Sequence, residues 1–271
     1  MRVEACCQAL LEQLLPDLDP QRQGFCIDVG VGTFAFYCEL FARLGYATVA
    51  VEPAPTDKLR ALCRQHSIQL IEQCLSDRVG VQTLHMGQFA NLANSNFSSL
   101  AADWFGASTE TRQVATLDLA TLLTQVGATQ ITAFKLDIEG WEPVVIRQFV
   151  DLPVARLPQV VMFEYGGGGS RQKGKKGWSP KFLAGTLDCL YQLQQRGYGF
   201  SVMVDYASGT GAKVFNLQSL NLAQDIPFYA NGVYGNILCF QKQHFSVTQI
   251  QHVCAPFGGG LANWLVSKVV S

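Results

Sequence analysis

The sequence predicts an α/β fold assembled from parallel βαβ units, and three features predict it. Short apolar runs alternate with stretches of helical spacing, the first of these runs closes on a pair of glycines, and later runs close on carboxylates. With 271 residues, 48% of them apolar and 15% charged, the chain can bury the core of one large α/β domain with insertions.

The opening MRVEACCQALLEQLL reads as an amphipathic helix whose apolar pattern is broken by Glu4 and Glu12, which argues against a secretion signal. From Phe25, FCIDVG reads as a strand, FAFYCELFARLG as a helix, ATVAVEP as a strand, TDKLRALCRQH as a helix and IQLIEQ as a third strand. Residues 76–115 are richer in Ser, Asn, Gly and Thr; VQTLHM reads there as one extra strand, with the polar loop NLANSNFSSL behind it. The rhythm resumes with the strand ITAFKLD, the helix EPVVIRQFV and the strand QVVMFEY. GGGGSRQKGKKG is a flexible basic loop, followed by a helix with Ser179 as N-cap, Pro180 at its first position and Gly197 just past its end. YGFSVMVDY and YGNILCFQK read as late strands joined by a polar and aromatic loop that holds Phe215, Phe228 and Tyr229. After Gly260 the tail has helical spacing that suits packing on the domain or on a second subunit.

A formal charge of −1 gives no global field for nucleic acid or an anionic membrane. No run reaches the roughly 18 consecutive apolar residues of a membrane span. The cysteines (positions 6, 7, 26, 38, 63, 74, 189, 239 and 254) form no CxxC pair and no zinc spacing, and read as reduced thiols of a cytoplasmic protein.

The turn Gly30-Val31-Gly32 joins a strand to a helix, so its backbone can approach a ligand closely with helix N–H groups aimed at it. Glu52, 20 residues beyond Gly32 at the end of the next strand, suits the hydroxyls of a ribose. Read literally, GVGTFA is also a dinucleotide fingerprint, and NAD binding competes. Asp28 favours a different ligand, because a carboxylate there repels a pyrophosphate and receives an ammonium; S-adenosylmethionine has an ammonium and no phosphate. A turn whose glycines serve packing alone remains the plain alternative.

ITAFKLDIEGWEP ends in Asp137, Glu139 and Glu142, with Gly140 allowing a sharp turn, and QVVMFEY places Glu164 at a strand end. In open α/β sheets ligands bind beyond the carboxyl ends of the strands, so these acids face one cleft if their strands are neighbours. Glu142 reads as a helix N-terminal charge, whereas Asp137 and Glu139 divide evenly between structural and ligand-facing roles. With no histidine nearby in sequence, no metal site is expected. His66, His85, His244 and His252 share no motif, and His85, after an extended run, is the best placed to visit a site. Arg171, Lys173, Lys175 and Lys176 form either a clamp for an anionic substrate or a plain solvated loop, the latter being favoured.

The segments IDVGVG, VEP, LSD (75–77), SSL (98–100), ATLDLATLL (115–123), FKLDIEGWE (134–142) and VVMFEY (160–165), in that order, resemble the FkbM family of S-adenosylmethionine-dependent methyltransferases. The resemblance covers 24–166, and NILCF (236–240) is similar to the family's closing strand. It implies a class I, Rossmann-like methyltransferase domain over 24–242: a seven-stranded, mostly parallel sheet with an antiparallel last strand and helices on both faces. Loop insertions would fall at 86–112, 166–178 and 206–232, with a helical extension at 1–23 and another extension at 243–271. The resemblance places Asp28, Gly30 and Gly32 at the methionine part of the cofactor, Glu52 at the ribose, and Asp77 at the adenine amino group. It sets Asp137 and Glu139 beside the transferred methyl. Glu139 is the first choice of base and Asp137 of positioning group, with Glu164 or a loop histidine as the alternative base. Phe34 departs from the pattern, standing where the family has a third glycine. The implied activity is O-methylation of a small hydroxylated metabolite such as a polyketide, sugar or glycolipid precursor. An NAD-dependent oxidoreductase, for which no Tyr-x-x-x-Lys set is evident, and a non-catalytic interaction module are the competing readings.

Overall fold

The structure is a computed structural model that describes residues 2–89, 92–104, 106–166, 180–206, 212–225, 227–228 and 234–258. Helix α1 (Val3–Leu18) groups with 159–271 in one compact unit, and residues 19–158 form the other.

The 19–158 unit runs β1 (Phe25–Val29), α2 (Phe36–Arg43), β2 (Ala47–Val51), α3 (Asp57–Gln65), β3 (Gln69–Ile71), β4 (Cys74–Leu75), β5 (Gly80–Phe89), β6 (Leu92–Ala93), β7 (Ala107–Leu117), α4 (Leu119–Gln125), β8 (Ile131–Leu136) and α5 (Glu142–Ile146). The strands β8-β1-β2-β3 lie side by side in that order, all parallel. Burial on both faces explains their apolar runs, and every residue of β8 is buried. Against them pack Val31, Cys38, Leu59, Cys63 and Ile68, which gives the amphipathic α2 and α3 their inward stripes.

The stretch 76–115, read as one extra strand with a polar loop behind it, holds a second long strand as well. Strands β5 and β7 form a long antiparallel ladder from Gly80↔Thr116 to His85↔Thr111, with β4 and β6 at its edges. Most of β7 is exposed, so it lacks the buried-face alternation that marks a strand in sequence.

The other unit adds β9 (Val160–Gly166), α6 (Pro180–Gln195), β10 (Phe200–Asp205), β11 (Lys213–Asn216), β12 (Tyr234–Phe240) and α7 (Val247–Cys254). Its strands lie in the order β11-β10-β12-β9, and neighbours are antiparallel throughout. The α/β class holds, the 19–158 unit combining the parallel set β8-β1-β2-β3 with the antiparallel β5/β7 ladder, and the other unit pairing its strands antiparallel. The large sheet counts eight strands where seven were expected, and the extra one is β11, inside the span read as a loop. Ser179, the basic residues 171–176, Tyr229 and the tail after Gly260 lie outside the described residues. All nine cysteines are buried free thiols. Among the described residues no helix is long and apolar enough to cross a membrane.

Candidate functional site

Strands β1 and β8 are in register from Asp28↔Lys135 to Val29↔Leu136, so Gly30 and Asp137 leave the sheet side by side. Gly30 has φ +75, and a Cβ on it would lie 1.8 Å from the Asp137 carbonyl oxygen. Glycine is therefore required at position 30 by the neighbouring strand, as well as by the left-handed turn. Gly32 has φ +60 and faces Asn96, whose Oδ1 accepts from the Thr33 N–H at 3.0 Å and from the Thr33 hydroxyl at 3.1 Å. Phe34 does not fill the turn. Its side chain points outward, 59% exposed, and stacks on Phe36 at 5.2 Å.

Lys135, which sequence reasoning passed over inside an apolar run, is the hub. The residue is 3% exposed, and its ammonium lies 3.0 Å from Asp28 Oδ1 and 3.5 Å from Asp137 Oδ2 and donates to the Gly30 carbonyl at 2.9 Å. The other Asp28 oxygen accepts from the Cys38 N–H at 3.1 Å and so secures an early turn of α2, whose N-cap residue Ala35 supplies no side-chain cap. Asp28 thus sits beneath the turn with one oxygen beside the Lys135 ammonium and the other on the Cys38 N–H. Burial pushes its carboxyl up and Lys135 opposes this. Asp137 differs, its side chain keeping 31% exposure.

Glu52 reaches the glycine turn. Its Oε2 accepts from the Gly32 N–H at 3.0 Å and its Oε1 from the Ala54 N–H at 3.0 Å, and burial pushes its carboxyl up. Asp77 stands after β4, exposed, where it accepts from Ser76 Oγ and Gln82 Nε2 and lies 3.7 Å from Arg78.

Beyond β8 the chain turns at Glu139, φ +56, a left-handed conformation that costs a non-glycine residue roughly 1–3 kcal/mol, and at Gly140, φ +90. Glu139 is 8% exposed. Burial, then the charges of Asp137 and Glu142, push its carboxyl well up, while the Trp104 indole and the charge of Lys135 oppose this. The Ser99 hydroxyl donates to the Glu139 carbonyl at 2.7 Å, and Ser99 pairs through its backbone with His85, so β5 braces this turn. Glu142 accepts from the Ile138 N–H at 2.8 Å and closes the turn from α5; burial pushes it up to about 7. That agrees with its structural reading. Trp141 donates to Ser76 Oγ at 3.1 Å.

Within this unit the structure brings Asp28, Gly30, Gly32, Glu52, Asp137 and Glu139 to the ends of three adjacent parallel strands. Glu164, in β9, belongs to the other unit and is paired in register with Asn236. Lys135, Asn96, Ser99 and Trp104 were missed. The one visible signal was a lysine inside a strand too apolar to carry it unpaired.

The profile of the Methyltransferase FkbM domain matches residues 24–200, a span that contains the whole glycine turn and acid cluster. No curated protein matches the sequence. The match covers more than half of the chain, which therefore belongs to the FkbM methyltransferase family.

Proposed function

We propose that the protein uses S-adenosylmethionine to methylate a hydroxyl oxygen of a small metabolite, such as a polyketide, sugar or glycolipid precursor. The observation that carries this reading is Glu52, whose carboxylate is fixed against the Gly32 N–H at the end of β2. There its acceptor oxygens suit paired ribose hydroxyls. The donor set fits an adenosine compound without phosphate: acidic groups rim the turn, and its lysine is turned inward onto Asp28 and Asp137. Such a turn offers little to a pyrophosphate, and GVGTFA then serves packing and close approach.

When bound, the cofactor supplies an electrophilic methyl on a sulfonium. The chain's part is to hold an attacking oxygen in line and to exclude water. Asp137, the partly exposed acid, positions the cationic end of the ligand. Glu139 takes the hydroxyl proton, and the burial that disfavours its charged form raises its affinity for that proton. Asp77 reaches the adenine amino group, and the nine free thiols suit a reducing cytoplasm.

Incubating the purified protein with methyl-labelled S-adenosylmethionine and a metabolite extract tests the reading. Mass spectrometry should find the label on the oxygen of a small molecule. Label found only on nitrogen or carbon, or on no product, counts against it.

A further inference from the structure

We infer that β7 is a self-complementary sheet edge, on which the β7 of a second copy of this chain pairs antiparallel about a two-fold axis at Thr111.

The strands of the smaller sheet lie in the order β4-β7-β5-β6, and β4 covers only Thr116 and Leu117 of β7. Among the described residues nothing pairs with that edge of β7 from 107 to 115. The backbone there is turned outward. His85 exchanges both of its backbone hydrogen bonds with Ser99, its N–H donating to the Ser99 carbonyl at 2.8 Å and its carbonyl accepting from the Ser99 N–H at 3.0 Å. Those groups point away from β7, so His85↔Thr111 is a non-hydrogen-bonded pair of the ladder. In such a pair the opposite residue also turns its groups away, and Thr111 therefore aims its N–H and carbonyl at the open edge, as Gln113 does two residues on. Residues 109–113 are all exposed, so side chains on neither face shield this edge. An edge of this kind is a template for another strand.

Charge decides which strand it takes. Glu110 and Arg112 flank Thr111 and share one face by strand alternation, and among the described residues neither makes an ion pair. Antiparallel pairing centred on Thr111 sets Glu110 opposite Arg112 of the second copy, and Arg112 opposite its Glu110, with Cβ atoms about 4.5–5.5 Å apart. Two cross-strand ion pairs form at once. Centring the axis on Glu110 or on Arg112 would oppose like charges, which fixes the register. Edges that avoid pairing carry charge of one sign, whereas this one answers itself. The open stretch of β5 from Gly80 to Leu84 has no charge to set a register. The ladder shifts register between His85 and Gly87, which puts a bulge in β7 before Thr111 and confines the pairing to the residues around it. So short an interface falls below the roughly 1,000 Å² of a stable complex, and the dimer is weak. It uses no residue of the glycine turn or the acid cluster.

Sedimentation velocity of the full chain at low salt, from about 10 μM to about 1 mM, tests this. Wild type should pass from monomer to dimer with a dissociation constant of about 0.1 mM. Glu110→Arg and Arg112→Glu each oppose like charges twice and should weaken the dimer at least about tenfold. An equimolar mixture of these two variants restores both ion pairs and should form a heterodimer about as tight as the wild type, as should the homodimer of the double variant. Thr111→Pro removes an N–H that the ladder does not use, so it should melt near the wild type and stay monomeric. Wild type that remains monomeric at about 1 mM, dimers unchanged by either charge reversal, a mixture no tighter than its separate variants, or dimeric Thr111→Pro would each overturn the interface.

Discussion

Replacing Lys135 with methionine keeps most of the side-chain volume but leaves Asp28, 1% exposed, without the cation 3.0 Å away. Breaking a buried pair in this way costs about 3–5 kcal/mol. Urea unfolding of Lys135→Met should show a loss of that size, and Asp28→Leu in the same chain should recover part of it. A single mutant as stable as wild type would show that the pair is not set as described. Glu142 adds a pH dependence. Its folded pKa of about 7 lies above its ordinary 4.5, so the folded state holds the proton more tightly. Stability from this group is full below about 4.5 and is lost as pH rises through about 7, by about 3 kcal/mol. Relative to Glu142→Gln, the wild type should therefore lose stability between pH 5 and 8 in urea titrations at a series of pH values. A constant difference would remove Glu142 as the cause. That Asp28, Glu52 and the glycines gather at neighbouring strand ends was legible because spacing alone fixes strand ends. Lys135 was not, because a lysine in a buried strand reads as chain pattern until its two carboxylate partners are placed beside it.

Local capping carries the elements of the 19–158 unit. The Asp118 carboxylate accepts from the Thr121 N–H at 2.8 Å, and Gln148 takes the Leu119 N–H at 2.9 Å, so α4 starts with two donors satisfied. Asp118→Ala should lower stability by about 1 kcal/mol, read as a drop in the thermal midpoint with the fold unchanged by circular dichroism. A loss near zero would mean that Gln148 and water suffice. The parallel strands and the helices between them were legible because burial on both faces writes continuous apolar runs. The β5/β7 ladder was not, since ASTETRQVATL buries only Val114, Thr116 and Leu117 and its polar surface resembles a loop. The short strand β11 escaped for a related reason, being only half-buried with an exposed end.

Over the whole chain, family and α/β class were legible because an ordered set of short motifs spans 24–166 and the matching profile spans 24–200. The strand count was not, because an edge strand needs few apolar residues and leaves little trace. The acceptor stays outside what any motif records, since acceptor recognition depends on side chains that only the folded units assemble. The central claim is that Glu52 and the glycine turn hold an adenosine sulfonium compound. Calorimetry with S-adenosylhomocysteine tests it most directly. Wild-type protein should bind with a dissociation constant in the micromolar range, and Glu52→Ala should bind at least about tenfold more weakly, the loss of charge-assisted bonds to the ribose. Absence of wild-type binding, or equal affinity in Glu52→Ala, would contradict it.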